Sequence, residues 1–113
     1  MRCGQILLVS HPFTDDSAAK VRPILVVSAD QYNRGEDIIA VPISSVPRED
    51  DPYTFPIRTT EAYFKQTGLR QGSHVKWTKP ITISKIVVQR RLGQLASAPL
   101  TEIQAKIQSL FQS

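Results

Sequence analysis

The chain has 113 residues, 41% of them apolar and 21% charged, with a net charge of +4, a balance that excludes disorder. Its longest apolar runs, Ile6 to Val9 and Ile24 to Val27, fall far short of the roughly 20 residues a membrane-spanning helix needs. One cysteine, Cys3, excludes an internal disulfide, and no second thiol or spaced histidine pair accompanies it, so no metal or other cofactor is expected.

Gln5 to His11 reads as a first strand, with Ile6, Leu8 and Ser10 on one face and Leu7, Val9 and His11 on the other. Pro12 and Phe13 close it, and the polar, acidic loop from Thr14 to Lys20 is placed to admit a ligand. Arg22 to Ser28 is a second strand, too short for an independent helix, with Pro23 at a position that removes no needed ladder bond. Asn33 and Gly35 mark a turn, after which Asp37 to Ile43 is a third strand that Pro42 should confine to an edge or a bulge.

Ser44 to Pro52 is loop by composition, and Tyr53 to Arg58 alternates as a half-exposed strand with Tyr53, Phe55 and Ile57 inward. Thr60 to Gln66 reads as a short helix capped by Thr60 and ended by Gly68. Ser73 to Lys79 and Ile86 to Leu95 are two further strands, separated by Pro80 and a turn containing Thr82. The last helix is the clearest: Leu100, Ile103, Ile107 and Leu110 recur at helical spacing, Phe111 widens the stripe, and Pro99 suits the first turn. Short strands with brief turns and one terminal amphipathic helix predict a single domain over residues 1–113, mainly β (α+β), built as a small, partly open barrel. Neither a secretory leader nor a membrane span is legible, so the expected location is cytoplasmic.

Charge is unevenly spread. Residues 1–61 hold six basic and nine acidic side chains, whereas residues 62–113 hold eight basic and one acidic, and none of the acids falls between Ala62 and Thr101. A polyanion is the default partner of such a run, because Lys and Arg that neutralise phosphates release counterions. A basic face that serves solubility, or one that docks an acidic protein segment, is the competing explanation.

Two histidines, His11 and His74, allow an acid and base pair, although nothing in the sequence brings them together. The acidic pairs in Asp15-Asp16 and Glu49-Asp50-Asp51 read as solvated loop carboxylates rather than a magnesium site. Arg22 and the hydroxyls of Ser44 and Ser45 are more suggestive. If the second and third strands pair antiparallel through the Asn33 to Gly35 connection, the start of one lies beside the end of the other, and Arg22 meets Ser44. A guanidinium holding two phosphate oxygens beside an orienting hydroxyl suits a phosphodiester. The alternative is an Arg22 ion pair with Asp15 or Asp16 and a serine turn.

Several segments in order resemble the MazF/PemK toxins of bacterial type II toxin-antitoxin systems. They are Gly4-Gln5-Ile6-Leu7-Leu8-Val9, His11-Pro12-Phe13-Thr14-Asp15, Arg22-Pro23-Ile24-Leu25-Val26-Val27-Ser28 and Tyr32-Asn33. Ile39-Ala40-Val41-Pro42-Ile43-Ser44-Ser45, Thr67-Gly68-Leu69, Val75-Lys76 and Arg90-Arg91-Leu92-Gly93-Gln94-Leu95 continue the match. The resemblance implies an SH3-like barrel, a homodimer, and sequence-selective, metal-independent cleavage of single-stranded RNA, with a cognate antitoxin whose acidic, disordered tail covers the basic face. It makes Arg22 the catalytic arginine and sets Ser44 where the family often has a catalytic threonine. Attack by a ribose 2′-hydroxyl would give a 2′,3′-cyclic phosphate, and Thr14, Lys20, Ser45, Lys76 and Lys79 would contact substrate, with Trp77 stacking an unpaired base or, alternatively, sitting in the core or a dimer interface. With a pKa above about 12, Arg22 would act chiefly by electrostatic stabilisation. The chain departs from the family pattern at Gln5, Ser10 and Lys76-Trp77-Thr78-Lys79. A non-catalytic nucleic-acid-binding module, or a gyrase-directed toxin on the same fold, is the alternative function.

Overall fold

The computed structural model describes residues 1–10, 21–46 and 50–112. His11 to Lys20 lie outside them, and with them His11, Thr14, Asp15, Asp16 and Lys20; Pro47 to Glu49 and Ser113 do as well.

Among the described residues a seven-stranded antiparallel sheet is wrapped around two apolar clusters. Its strands are β1 (Gln5–Ser10), β2 (Val21–Val26), β3 (Asp37–Ser44), β4 (Phe55–Ile57), β5 (Ser73–Val75), β6 (Ile81–Ser84) and β7 (Val88–Gln94). The neighbour order is β4, β5, β3, β2, β1, β7, with β6 also paired to β3, so the sheet is curled but not closed. β1, β2 and β3 are buried on both faces, which explains their near-continuous apolar sequence. Ile6, Leu25, Val41 and Ile43 point into one cluster with Ile57, Trp77, Leu95 and Ile103; Leu7, Val9, Ile24, Val26, Ile38, Ala40 and Ile83 form the other. The terminal helix α2 (Ser97–Ser109) covers the first cluster through Ile103, with Leu100 and Ile107 beside it. Leu110 and Phe111 turn outward rather than extending the stripe.

The β2–β3 pairing is held at its closed end by a buried polar clamp. Asn33 is fully buried in a one-turn 3₁₀ segment. The Ser28 hydroxyl donates to Asn33 Oδ1, Asn33 Nδ2 donates to the Ser28 carbonyl at 2.9 Å, and the Ile39 amide donates to Ser28 Oγ at 2.9 Å. Each of these groups would otherwise be buried unpaired, so the clamp fixes one connection geometry and with it one register.

Local differences from the sequence reading have identifiable causes. β3 is central rather than an edge: Pro42 falls between the stretch of β3 paired to β6 and the stretch paired to β5, where no strand needs its missing N–H, while Lys76 donates its amide to the Pro42 carbonyl at 2.9 Å. β4 is shorter than expected, and Tyr53 lies outside it and is exposed. The α1 helix is only Phe64–Thr67, with Tyr63 rather than Thr60 before it, and Gly68 ends it in the left-handed region at φ 74°. β5 stops at Val75 because Lys76 to Lys79 form a turn, the Lys79 amide reaching the Lys76 carbonyl at 3.2 Å. The predicted turn at Thr82 is instead strand β6, whose Ile81-Thr82-Ile83 alternation buries Ile83 against β3. β7 starts later than Ile86, after a 3₁₀ turn over Lys85–Val87.

Gly68 and Gly93 lock α1 against β7. A Cβ on Gly93 would meet the Gln66 carbonyl oxygen at 2.2 Å, and one on Gly68 the Leu92 carbonyl oxygen at 2.0 Å. Both obstacles are backbone, which cannot swing aside. Gly93→Ala should therefore cost about 2 kcal/mol or more in urea unfolding, whereas Gly35→Ala, whose nearest contact is 3.5 Å, should be close to neutral. Removing the clamp with Asn33→Ala should cost about 1–3 kcal/mol in the same measurement, because the Ser28 carbonyl loses its buried donor and the Ser28 hydroxyl keeps only its longer bond to the Ile39 carbonyl at 3.3 Å as a donor.

Candidate nucleic-acid interface

The β2–β3 ladder runs Val26 opposite Ala40, Leu25 opposite Val41 and Ile24 opposite Pro42. The ladder ends there, and its register continued two residues further would set Arg22 opposite Ser44, on the same face. Both line the same two hollows, one of about 500 Å³ and one of about 220 Å³, which meet at Arg22, Pro23, Ile43 and Ser44. The fold thus brings Arg22 and Ser44 to the lining of the same hollows.

Arg22 is exposed and makes no hydrogen bond or ion pair with any described residue; Asp15 and Asp16, its alternative partners, lie outside the described residues. Ser44 is half-buried, and its Oγ accepts the Val46 amide at 3.1 Å, which anchors the hydroxyl while leaving its proton to donate. Ser45 lies on the rim of the larger hollow.

Four more cations converge on the same cleft. Arg70 and Arg90 line the larger hollow, and Lys76 and Lys79 the smaller one, with Arg22 common to both. The i to i+3 turn of Lys76 to Lys79 brings those two lysines to one side and sends Trp77 the other way. Arg70 and Arg90 belong in the sequence to the acid-free run, Arg90 also to a family-like segment; their convergence needs the fold, which sets Arg90, on β7, opposite Leu8 and Arg70 just past Gly68.

Trp77 is placed differently from a surface stacking residue. It is 5% exposed and belongs to the core with Ile57 and Ile103; Tyr53 covers it at 5.9 Å between ring centroids, and Lys106 Nζ sits 5.8 Å from its ring. Its faces are taken by protein, and the exposed aromatic beside the lysines is Tyr53. His74 is opposite Ser44 on β5, and its side chain borders a neighbouring hollow, lined also by Asp51, Arg58 and Thr60, that shares Ser45 and Ser73 with the larger one; its buried Nδ1 has no partner among the described residues.

Other groups stand apart from the cleft. Cys3 accepts a hydrogen bond from Gln104 Nε2 at 3.1 Å near the start of β1, and burial, reinforced by Asp30, pushes its thiol above the usual range, which makes it a poor nucleophile. Among the described residues no three His, Cys, Asp or Glu side chains are grouped to hold a metal ion, and no helix is long and apolar enough to cross a membrane.

Residues 2–111 match the family model of the PemK-like, MazF-like toxin of type II toxin-antitoxin systems. The chain belongs to this family. No curated protein is significantly similar to it in sequence, but solved structures share its fold. A MazF from Deinococcus radiodurans is 19% identical with a TM-score of 0.74, the alignment covering 100% of this chain and 97% of that one. The MazE–MazF complex of the same organism matches at 21% identity and TM-score 0.73, covering 97% and 94%. An endoribonuclease solved with its cognate antitoxin from a Mycobacterial species matches at 20% identity and TM-score 0.71, covering 100% and 99%. At these identities the likeness is one of fold, and it extends over the whole sheet and α2.

Within this family fold, the five cations of the cleft predict how a polyanion is held. Single-stranded nucleic acid loses affinity with a slope of roughly 0.7 per neutralised phosphate on a log–log salt plot. Binding measured by anisotropy should then fall with a slope of roughly −3 to −4 if all five cations are engaged, and Arg70→Ala should make it shallower by roughly 0.7.

Proposed function

We propose that the chain is an endoribonuclease toxin that cuts single-stranded RNA selectively in the Arg22–Ser44 cleft. The supporting observation is the juxtaposition of an exposed guanidinium, unpaired among the described residues, with an anchored hydroxyl inside a cleft of further cations.

The reaction is an internal transesterification. The ribose 2′-oxygen attacks the adjacent phosphorus, the P–O5′ bond breaks, and the products are a 2′,3′-cyclic phosphate and a 5′-hydroxyl; the 2′-proton is lost to solvent and the departing oxygen gains one. Arg22 binds two non-bridging oxygens and stabilises the charge that grows on the pentacoordinate phosphorus, while the Ser44 hydroxyl donates to an oxygen of the same group. Arg70 and Arg90 on one side, and Lys76 and Lys79 on the other, hold neighbouring phosphates and so fix the strand's course past the reacting one. Thr14, Lys20 and Ser45 complete the substrate contacts in this reading. Metal independence follows from family resemblance, because the charge stabilisation assigned to Arg22 replaces that of an ion.

The partners follow from the same surface. The active species is a homodimer in the cytoplasm, and its inhibitor is a cognate antitoxin whose acidic, extended tail lies along the cleft and competes with RNA. The solved relatives that contain an antitoxin support this assignment.

Incubation of the purified protein with single-stranded RNA in EDTA should yield fragments ending in cyclic phosphate. Arg22→Ala should lower kcat by about 10²-fold or more with the thermal midpoint unchanged, and Arg22→Lys should recover little because it lacks the planar fork. Loss of cutting in EDTA would contradict the metal-free reaction. Wild-type cutting by Arg22→Ala would contradict the site, and growth inhibition that survives Arg22→Ala without RNA cleavage would favour a binding module instead.

A further inference from the structure

The cleft does not end at Lys79. Lys76 and Lys79 also border a hollow of about 130 Å³ whose remaining lining includes Asp51, Tyr53 and Thr78. Tyr53 is 57% exposed although it is a large aromatic, and it is not a loose loop residue. Its backbone amide donates to Asp51 Oδ1 at 2.9 Å, the Thr54 amide donates to the Asp51 carbonyl at 3.3 Å, and strand β4 begins two residues later at Phe55. Its ring meets that of Trp77 in a tilted contact, 5.9 Å between centroids and 52° between planes, and Trp77 is itself core. Tyr53 is thus tied at its backbone and in contact with the core through Trp77, yet more than half exposed at the point where a cationic track passes. Tyr32 and Phe111 are exposed aromatics as well, but neither borders this track.

We propose that Tyr53 is a base-stacking platform: an unpaired nucleobase of the RNA lies on its outer face while the adjoining phosphate is held by Lys76 and Lys79. This inference rests on the reading of the cleft as an RNA site and adds a specificity-determining contact to it. Aromatic rings beside a backbone-tracking cationic groove are the recurrent means of binding single strands, since every base has a π-face. The buried Trp77 supports Tyr53 from beneath, and it is Tyr53 that meets the strand. Because the contact is made by a ring face, it discriminates against base-paired RNA, whose bases are already stacked.

The test uses a fluorescent single-stranded RNA with 2′-O-methyl on every ribose, which cannot undergo internal attack, and reads Kd by anisotropy. Tyr53→Leu keeps Trp77 covered but removes the π-face, and should weaken binding about tenfold with the thermal midpoint and the salt slope unchanged. Tyr53→Phe should bind within about twofold of wild type, since it keeps the ring. Lys79→Ala, by contrast, should make the salt slope shallower by roughly 0.7. Tyr53→Leu binding as tightly as wild type, or Tyr53→Phe falling as far as Tyr53→Leu, overturns the platform. These results leave the cleavage reading standing if wild type still cuts unmodified RNA. A wild-type protein that neither binds this probe nor cuts unmodified RNA overturns both.

Discussion

The arrangement depends on one antiparallel register. β2 and β3 pair so that Ile24 lies opposite Pro42, and that offset alone decides which strand-mouth residue Arg22 meets. A shift of one residue would send every side chain of β3 to the other face and bury Ser44 where Ile43 now packs. Two independent features hold the offset in place. At the closed end, the Ser28–Asn33–Ile39 bonds are buried and mutually satisfied, so any other connection would strand polar groups in the core. Along the strands, Leu25 and Val41 must enter one apolar cluster while Ile24, Val26 and Ala40 enter the other. Stability and site geometry are thus set by the same contacts.

The electrostatics build on that frame. The cations of the cleft come from four separate places: the start of β2, the chain after α1, the turn after β5, and β7. They converge because β1 and β3 each pair on both edges, with β2 between them, which brings β5 and β7 to opposite sides of the strand mouth. The first half of the chain carries most of the acids but contributes Arg22 and Ser44, so the cleft joins a structural half to a cationic one. The tight seating of Gly68 and Gly93 has a positional role as well, since it fixes α1 and the following Leu69 and Arg70 against β7 beside Arg90.

Much of this was legible in the residues. The apolar run from Ile24 to Val27, the Asn33 turn and the helical spacing of Leu100, Ile103 and Ile107 led to the right elements, because each signal is local and strong. The ordered family segments led to the right fold. What was not legible depends on long-range contacts. Pro42 looks like an edge marker, yet it fills a gap between the stretches of β3 paired to β5 and β6, which only the sheet order reveals. Tyr53 reads as an inward strand residue and Trp77 as a substrate contact, and the fold reverses the two: the Lys76 to Lys79 turn sends Trp77 into the core, and Tyr53, which precedes β4, is left outside over it. Arg70 and Arg90 are 20 residues apart in sequence and meet only in space. The expected substrate contacts Thr14 and Lys20 belong to a segment outside the described residues.

The central claim is that one phosphate is gripped jointly by Arg22 and Ser44. A nitrogen-15 NMR titration with a single-stranded DNA oligonucleotide, which lacks the attacking 2′-hydroxyl, tests it most directly. The account predicts that the Arg22 side-chain Nε–H and the Ser44 amide shift together and saturate at the same ligand concentration. Shifts confined to residues away from the β2–β3 mouth, with Arg22 and Ser44 unmoved at saturation, would contradict it.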